Sequence, residues 1–79
     1  MKLRPGVTAD LAHHGIDAAE GDSAEALRER LNDRYLEDVR RLKARQVSGE
    51  IPLEDYAAHV RALKESYPLL GLPLALWTE

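Results

Sequence analysis

The three histidines are the side chains best suited to bind a metal ion in this chain, which has no cysteine. His13 and His14 are adjacent, and His59 lies far along the sequence. Neighbouring residues on a helix point in different directions, so the first two do not have the ligand spacing of a closed zinc site. Asp55 and His59 share a helix face, but two ligands do not make a site. We therefore predict no metal and no cofactor.

Residues for covalent or acid–base catalysis are equally poorly placed in the sequence. Ser23, Ser48 and Ser66 have no neighbouring histidine that would activate them. No glycine-rich phosphate loop is present. The acidic pair Glu54 and Asp55 begins a predicted helix, where negative charge is favourable. We predict that no residue is catalytic and that the protein is not an enzyme.

Arginines form the strongest candidate binding motif. Four of them fall within about 60° of one another on a long predicted helix, beside its apolar face: Arg30, Arg34, Arg41 and Arg45. Such an arginine strip suits docking onto an acidic protein or a phosphate backbone. The favoured alternative is a solvated side of the helix, with the arginines paired to Glu37, Asp38 and acids of the next helix.

Charge and hydropathy limit the classes of partner. The net charge of −3, from 11 basic and 14 acidic residues, argues against general binding to nucleic acid or to an anionic membrane. The first residues lack the apolar core of a signal peptide. The longest apolar run, residues 68–77, has about half the length of a membrane span. We expect a cytoplasmic protein, and the many arginines and missing phenylalanine favour a GC-rich bacterial source.

The 79 residues allow one domain, with a core that gives only marginal stability by itself. Its first segment is an arm, residues 1–22. Within the arm, residues 8–14 suit a short helix with Thr8 as the N-cap. Gly15 would then end it, and Ile16 would fold back as in a Schellman cap. A disordered arm is the open alternative.

Two helices follow the arm. The first is predicted over residues 23–47, and its N-cap is either Ser23 or Asp22, which has capping-box spacing with Glu25. The second is predicted over residues 53–66. The link between them is short, so we predict an all-α fold in which a long first helix and a shorter second helix form an antiparallel helical hairpin.

The lengths of these two helices do not match. At about 1.5 Å per residue, the first is roughly 36 Å long and the second roughly 21 Å. The second helix would end near Asn32 or Asp33 of the first, which leaves three residues uncovered: Ala24, Leu27 and Leu31. Exposing leucines costs about 1.5–3 kcal/mol each. Either the C-terminal tail or a second chain must therefore cover them.

The C-terminal tail, residues 67–79, has too much proline and glycine for a stable helix and is too apolar for a solvated segment. The favoured interpretation is that it covers this chain's own core, or that of a twin. The alternative is an anchor that binds a partner, with Trp77 as its central side chain. The candidate anchor residues are Leu70, Leu72, Leu74, Leu76 and Trp77.

The turn and second helix carry a pattern of leucine, a Gly-x-Ile turn, an acidic pair, an aromatic residue and a further leucine. Its residues are Leu42, Gly49, Ile51, Glu54, Asp55, Tyr56 and Leu63. Over about residues 39–64 this pattern resembles the short C-terminal helical domain known as SHOCT. The resemblance implies oligomerisation or protein contact rather than chemistry, with Ile51 packed on Tyr56. The chain departs from the family at Pro52, where a Thr or Ser cap is usual, and by continuing past the second helix.

Together these patterns predict a non-enzymatic interaction module that self-associates, with a dimer favoured. The predicted self-association interface is Leu27, Leu31, Tyr35 and Leu36. The runner-up is a small regulator that docks its arginine strip on a nucleic-acid machine or an acidic protein partner. A third possibility is a monomer whose tail completes its own core.

Overall fold

The computed structural model describes residues 2–19 and 21–79 of the chain. Its helices are α1 (Pro5–His13), α2 (Ala24–Val47) and α3 (Leu53–Glu65), followed by two 3-10 turns (Pro68–Gly71 and Leu74–Leu76). Met1 and Glu20, both in the predicted arm, lie outside the described residues. The predicted all-α class is confirmed. The longest helix is the second of the chain, because the arm itself contains α1.

Helix α1 begins earlier than predicted. Pro5 is its first residue, so the prediction of Thr8 as the N-cap is wrong. Proline suits this position because its missing N–H has no partner in the first turn and its φ is already helical. Arg4, in an extended conformation, precedes the helix without a side-chain cap.

The end of α1 follows the predicted Schellman cap. Gly15 has a φ of 75°, a left-handed conformation that favours glycine. The Gly15 N–H donates to the carbonyl of Ala12 at 2.9 Å, and the Ile16 N–H donates to the carbonyl of Leu11 at 2.9 Å. Ile16 and Leu11 are both buried in the core. The cap therefore folds the chain back over its own helix and directs it towards α2.

Of the two predicted N-caps of helix α2, the structure uses Ser23. The Ser23 hydroxyl accepts a hydrogen bond from the Ala26 N–H at 3.1 Å. The Asp22 carboxylate instead accepts from the Ala19 N–H at 2.9 Å. At the other end Gly49, with a φ of 87°, turns the chain away from the helix. These local signals account for where α2, which is 24 residues long, begins and ends.

Helix α3 packs along the second half of α2 in the opposite direction. The Lys43 ammonium lies 5.2 Å from the centre of the Tyr56 ring. Nearer the middle of α2, the Tyr67 hydroxyl donates a hydrogen bond to Asp38. From the first contact to the second, the residue number falls on α2, from 43 to 38, and rises on the other segment, from 56 to 67. The two helices are therefore antiparallel.

The core surrounds the first half of α2. Its buried members are Val7, Leu11, Ile16, Leu27, Leu31, Tyr67, Leu69 and Trp77. They come from α1, α2 and the tail, so three distant parts of the chain close around two leucines of α2. One antiparallel bridge, between Leu3 and Thr78, joins the two terminal segments on this core.

The other end of the molecule is thinner. The chain extends over 45 × 18 × 16 Å, and its far end consists only of the second half of α2, the turn and α3. No residue of α3 is fully buried. Two helices alone enclose little core, so most apolar side chains at this end stay partly exposed, and Leu42 and Ile51 are the buried exceptions.

Candidate protein-interaction site

The histidines are held by contacts within the chain. The His14 ring stacks on the Tyr67 ring with centres 3.9 Å apart, and its Nε2 lies 2.8 Å from the Ser66 carbonyl oxygen. The His13 ring meets the His14 ring edge-on at 5.1 Å. His59 lies in a separate groove between α2 and α3. In the part of the chain that the structure describes, no three His, Cys, Asp or Glu side chains come together as a metal site.

The three serines have roles at helix ends. Ser23 caps α2, as described above. The Ser48 hydroxyl donates to the carbonyl of Arg45 at 3.0 Å. The Ser66 hydroxyl donates to the carbonyl of Leu63 at 2.7 Å. Each hydroxyl satisfies backbone groups that a helix terminus leaves without partners, and none of these contacts pairs a serine with a base.

A polar cluster around Tyr67 joins α1, α2 and the end of α3. The Tyr67 side chain is buried among apolar neighbours, and its hydroxyl donates to Asp38. Burial, strengthened by this hydrogen bond to a carboxylate, raises the pKa of Tyr67 to about 12. The Tyr35 ring meets the Tyr67 ring edge-on at 5.3 Å. The cluster locks α2 to the start of the tail.

Sequence patterns did not predict this cluster. Asp38 and Tyr67 are separated by 29 positions, and no motif connects them. The only available signal in the sequence is an apolar stripe at helical spacing that ends at Tyr67. Its residues are Leu53, Tyr56, Ala57, Val60, Leu63 and Tyr67. That stripe predicts burial but does not name a polar partner.

The arginine strip is exposed, and each of its members is paired with an acid of the same chain. Arg30 makes two hydrogen bonds to Asp22, both of 3.1 Å, and they hold the pKa of the Asp22 carboxyl below its usual value. The other pairs are Arg34–Asp38 at 3.8 Å, Arg41–Glu37 at 3.7 Å and Arg45–Glu50 at 2.8 Å. The charge of the strip is therefore largely neutralised within the chain. Glu37 and Asp38 are partners that the alternative interpretation named, whereas Asp22 and Glu50 lie outside the next helix.

The tail packs on its own chain. Trp77 has no exposed surface, and its indole N–H donates to the carbonyl of Leu72 at 3.4 Å. Leu70, Leu72 and Leu74 are half-buried against the same core, whereas Leu76 is 41% exposed. Of the predicted anchor residues, Trp77 is therefore closed to a partner in this fold.

The predicted self-association interface divides in two. Leu27 and Leu31 are 0% exposed, because α1 and the tail cover them. Of the two predicted covers, the tail of the same chain is the one found. These leucines are thus corrected from interface residues to core residues. Tyr35 is half-buried beside Tyr67, and Leu36 is 41% exposed.

Exposed apolar surface collects at the α2–α3 end. The exposed large apolar side chains of the described residues are Leu36 (41%), Val47 (72%), Leu53 (67%) and Leu76 (41%). Only Leu76 belongs to the tail. At about 100° per residue, five residues of α2 fall within about 40° of one another on the side that carries Leu36. We call this side the α2 flank: Glu25, Glu29, Leu36, Lys43 and Val47.

Two open grooves run beside the α2 flank. The first, of about 470 Å³, lies between the first half of α2 and the tail, and Leu70 and Leu74 form one of its walls. The second, of about 370 Å³, continues from Asn32 and Leu70 to Tyr35 and Lys64. The two grooves share Asn32 and Leu70 and so adjoin along α2, and together we call them the depression along α2. This depression and the flank form the candidate site.

Comparison with known proteins gives no relative: no family model matches the chain, and no curated protein or solved structure matches it. The SHOCT resemblance stays a prediction. None of the helices within the described residues combines the length and the apolar character needed to span a membrane.

Proposed function

We propose that this chain is a non-enzymatic protein-interaction module that associates with a second copy of itself through the exposed side of α2. The observation that carries the proposal is the concentration of exposed apolar side chains at the α2–α3 end, where Leu36, Val47 and Leu53 lie. Covering such side chains on association is favourable by roughly 25 cal/mol per Å² of apolar surface.

The α2–α3 pair acts in this proposal as an antiparallel helical hairpin that is complete at one end only. Around Leu27 and Leu31 the tail closes the core, so this end needs no partner. At the other end each helix has only the other for cover, as in a bundle that lacks half of its helices. The cytoplasm stays the predicted location.

Docking of the arginine strip on an acidic or nucleic-acid partner is less well supported. Its four arginines already have acidic neighbours, and a partner would have to replace those ion pairs. Salt separates the two proposals. Apolar self-association persists at about 1 M salt, whereas arginine docking weakens sharply.

Leu36→Glu tests the proposed interface. A charge at this position would have to be buried on association, so we expect the dissociation constant of the dimer to rise about 100-fold. Leu76→Glu is the matched control, because Leu76 has the same 41% exposure but lies on the tail. Light scattering coupled to size exclusion measures the mass of both variants. An unchanged dimer in Leu36→Glu would contradict the proposed interface.

A further inference from the structure

The α2 flank has a symmetry in its sequence. Glu25 and Glu29 precede Leu36 by eleven and seven positions, and Lys43 and Val47 follow it by seven and eleven. The flank therefore carries acidic residues on one side of Leu36 and a basic residue at the matching distance on the other. If a second α2 helix runs in the opposite direction and is aligned at Leu36, its Lys43 lies opposite Glu29. Its Val47 then lies opposite Glu25.

From this pattern we infer that a second copy of the chain docks antiparallel on the α2 flank, with the two α2 helices crossing at Leu36 on a two-fold axis. The inference rests on the proposed function and specifies its geometry. Leu36 then packs on Leu36 of the second copy. Glu29 faces Lys43 of the second copy, and by symmetry Lys43 faces Glu29.

Charge pairing within the chain supports this assignment. Glu25, Glu29 and Lys43 form no ion pair with any other described residue, whereas all four arginines of the strip do. The Lys43 ammonium donates only to the Gln46 side chain, at 3.0 Å, and lies over Tyr56. The flank thus presents charges that are still available to a partner, while the opposite side of α2 has satisfied its own.

The relative direction of the two α2 helices in the dimer follows from the signs of these charges. A parallel crossing would bring Glu29 beside Glu29 and Lys43 beside Lys43 of the second copy, and such like-charge contacts oppose association. An antiparallel crossing makes both contacts attractive. The same charges also disfavour docking of an arbitrary apolar helix, because such a helix would cover them without pairing them.

Interface anatomy is consistent with the crossing. Positions seven residues from Leu36 lie about 10 Å along the axis, and packed helices diverge from their crossing point at angles of about 20–50°. The Glu29–Lys43 pairs therefore lie at the solvated rim, while Leu36 lies at the dry centre. Long charged side chains can span the wider gap there.

Charge reversal tests the geometry in the full-length chain. Glu29→Lys and Lys43→Glu each create two like-charge contacts per dimer, so we expect each to raise the dissociation constant about tenfold or more. The double variant restores two attractive pairs with their signs exchanged and keeps the net charge. Its dissociation constant should return to within about threefold of the wild-type value. Sedimentation equilibrium measures all of these constants.

Arg61→Glu and Glu65→Lys are the controls. They make the same two changes of charge on the outer face of α3, where both residues are exposed, and should leave the dissociation constant within about threefold of wild type. Melting curves show whether each variant stays folded.

Four outcomes overturn the inference, and they separate it from the proposed function. If both single reversals leave the dimer intact while Leu36→Glu disrupts it, the proposed function stands and the antiparallel crossing is wrong. If the single reversals weaken the dimer and the double variant does not recover, the Glu29–Lys43 pairing is wrong. If Leu36→Glu has no effect, the interface is wrong for both. A monomeric wild type overturns both.

Discussion

At the scale of single residues, Tyr67 connects most of the molecule. Its ring packs against His14 of the α1 cap and Tyr35 of α2, and its hydroxyl reaches Asp38. The apolar stripe of the second helix predicted that this ring would be buried, but not its partners, because those contacts depend on how distant segments meet. The same holds for the two buried leucines of α2. Their need for cover followed from helix lengths, whereas the source of the cover did not.

Tyr67 should make the stability of the fold depend on alkaline pH. In the unfolded chain its hydroxyl titrates near its usual pKa of 10.0, and in the folded chain its pKa is about 12. As the pH rises from about 10 to 12, the unfolded state loses the proton first, so the free energy of unfolding falls. Urea titrations at several pH values measure this fall.

Tyr67→Phe should reduce that pH dependence and lower the free energy of unfolding at neutral pH by about 1 kcal/mol, through loss of the hydrogen bond to Asp38. Tyr56→Phe is the control, since Tyr56 lies half-exposed on the α2–α3 pair. A Tyr67→Phe variant that keeps the full alkaline decline would contradict the role of this hydroxyl.

At the scale of elements, short-range signals predicted well. The caps at Ser23 and Gly15 act within a few residues, so these helix ends could be found from the sequence. The one wrong boundary was the start of α1. There Thr8 offered a capping side chain, but Pro5 begins the helix, because tertiary packing of Val7 and Leu11 extends it.

Gly15, in the cap that follows α1, should not tolerate a side chain. Its φ of 75° costs an L-residue about 1 kcal/mol, so Gly15→Ala should lower the free energy of unfolding by that amount. Gly6 lies within α1, and the space around it is open. Gly6→Ala should therefore raise the free energy of unfolding by about 0.5 kcal/mol. Equal effects of both substitutions, measured by thermal melting, would argue against the capped end of α1.

At the scale of the whole molecule, one end is closed and the other is open. The tail, α1 and the first half of α2 enclose a core, whereas the α2–α3 end stays two helices thick along a chain 45 Å long. The helix lengths predicted from the sequence indicated an incomplete hairpin, but they placed the uncovered apolar surface at Leu27 and Leu31. The structure leaves exposed Leu36, Val47 and Leu53 instead, because the tail folds back along the first half of α2.

The mass of the wild-type chain in solution tests self-association directly and is measured by sedimentation equilibrium over a range of micromolar concentrations. We expect a mass that rises towards twice 8.8 kDa with concentration and is little changed at about 1 M salt, because apolar contacts at Leu36 carry the association. A mass that stays at 8.8 kDa at every concentration would contradict self-association through α2.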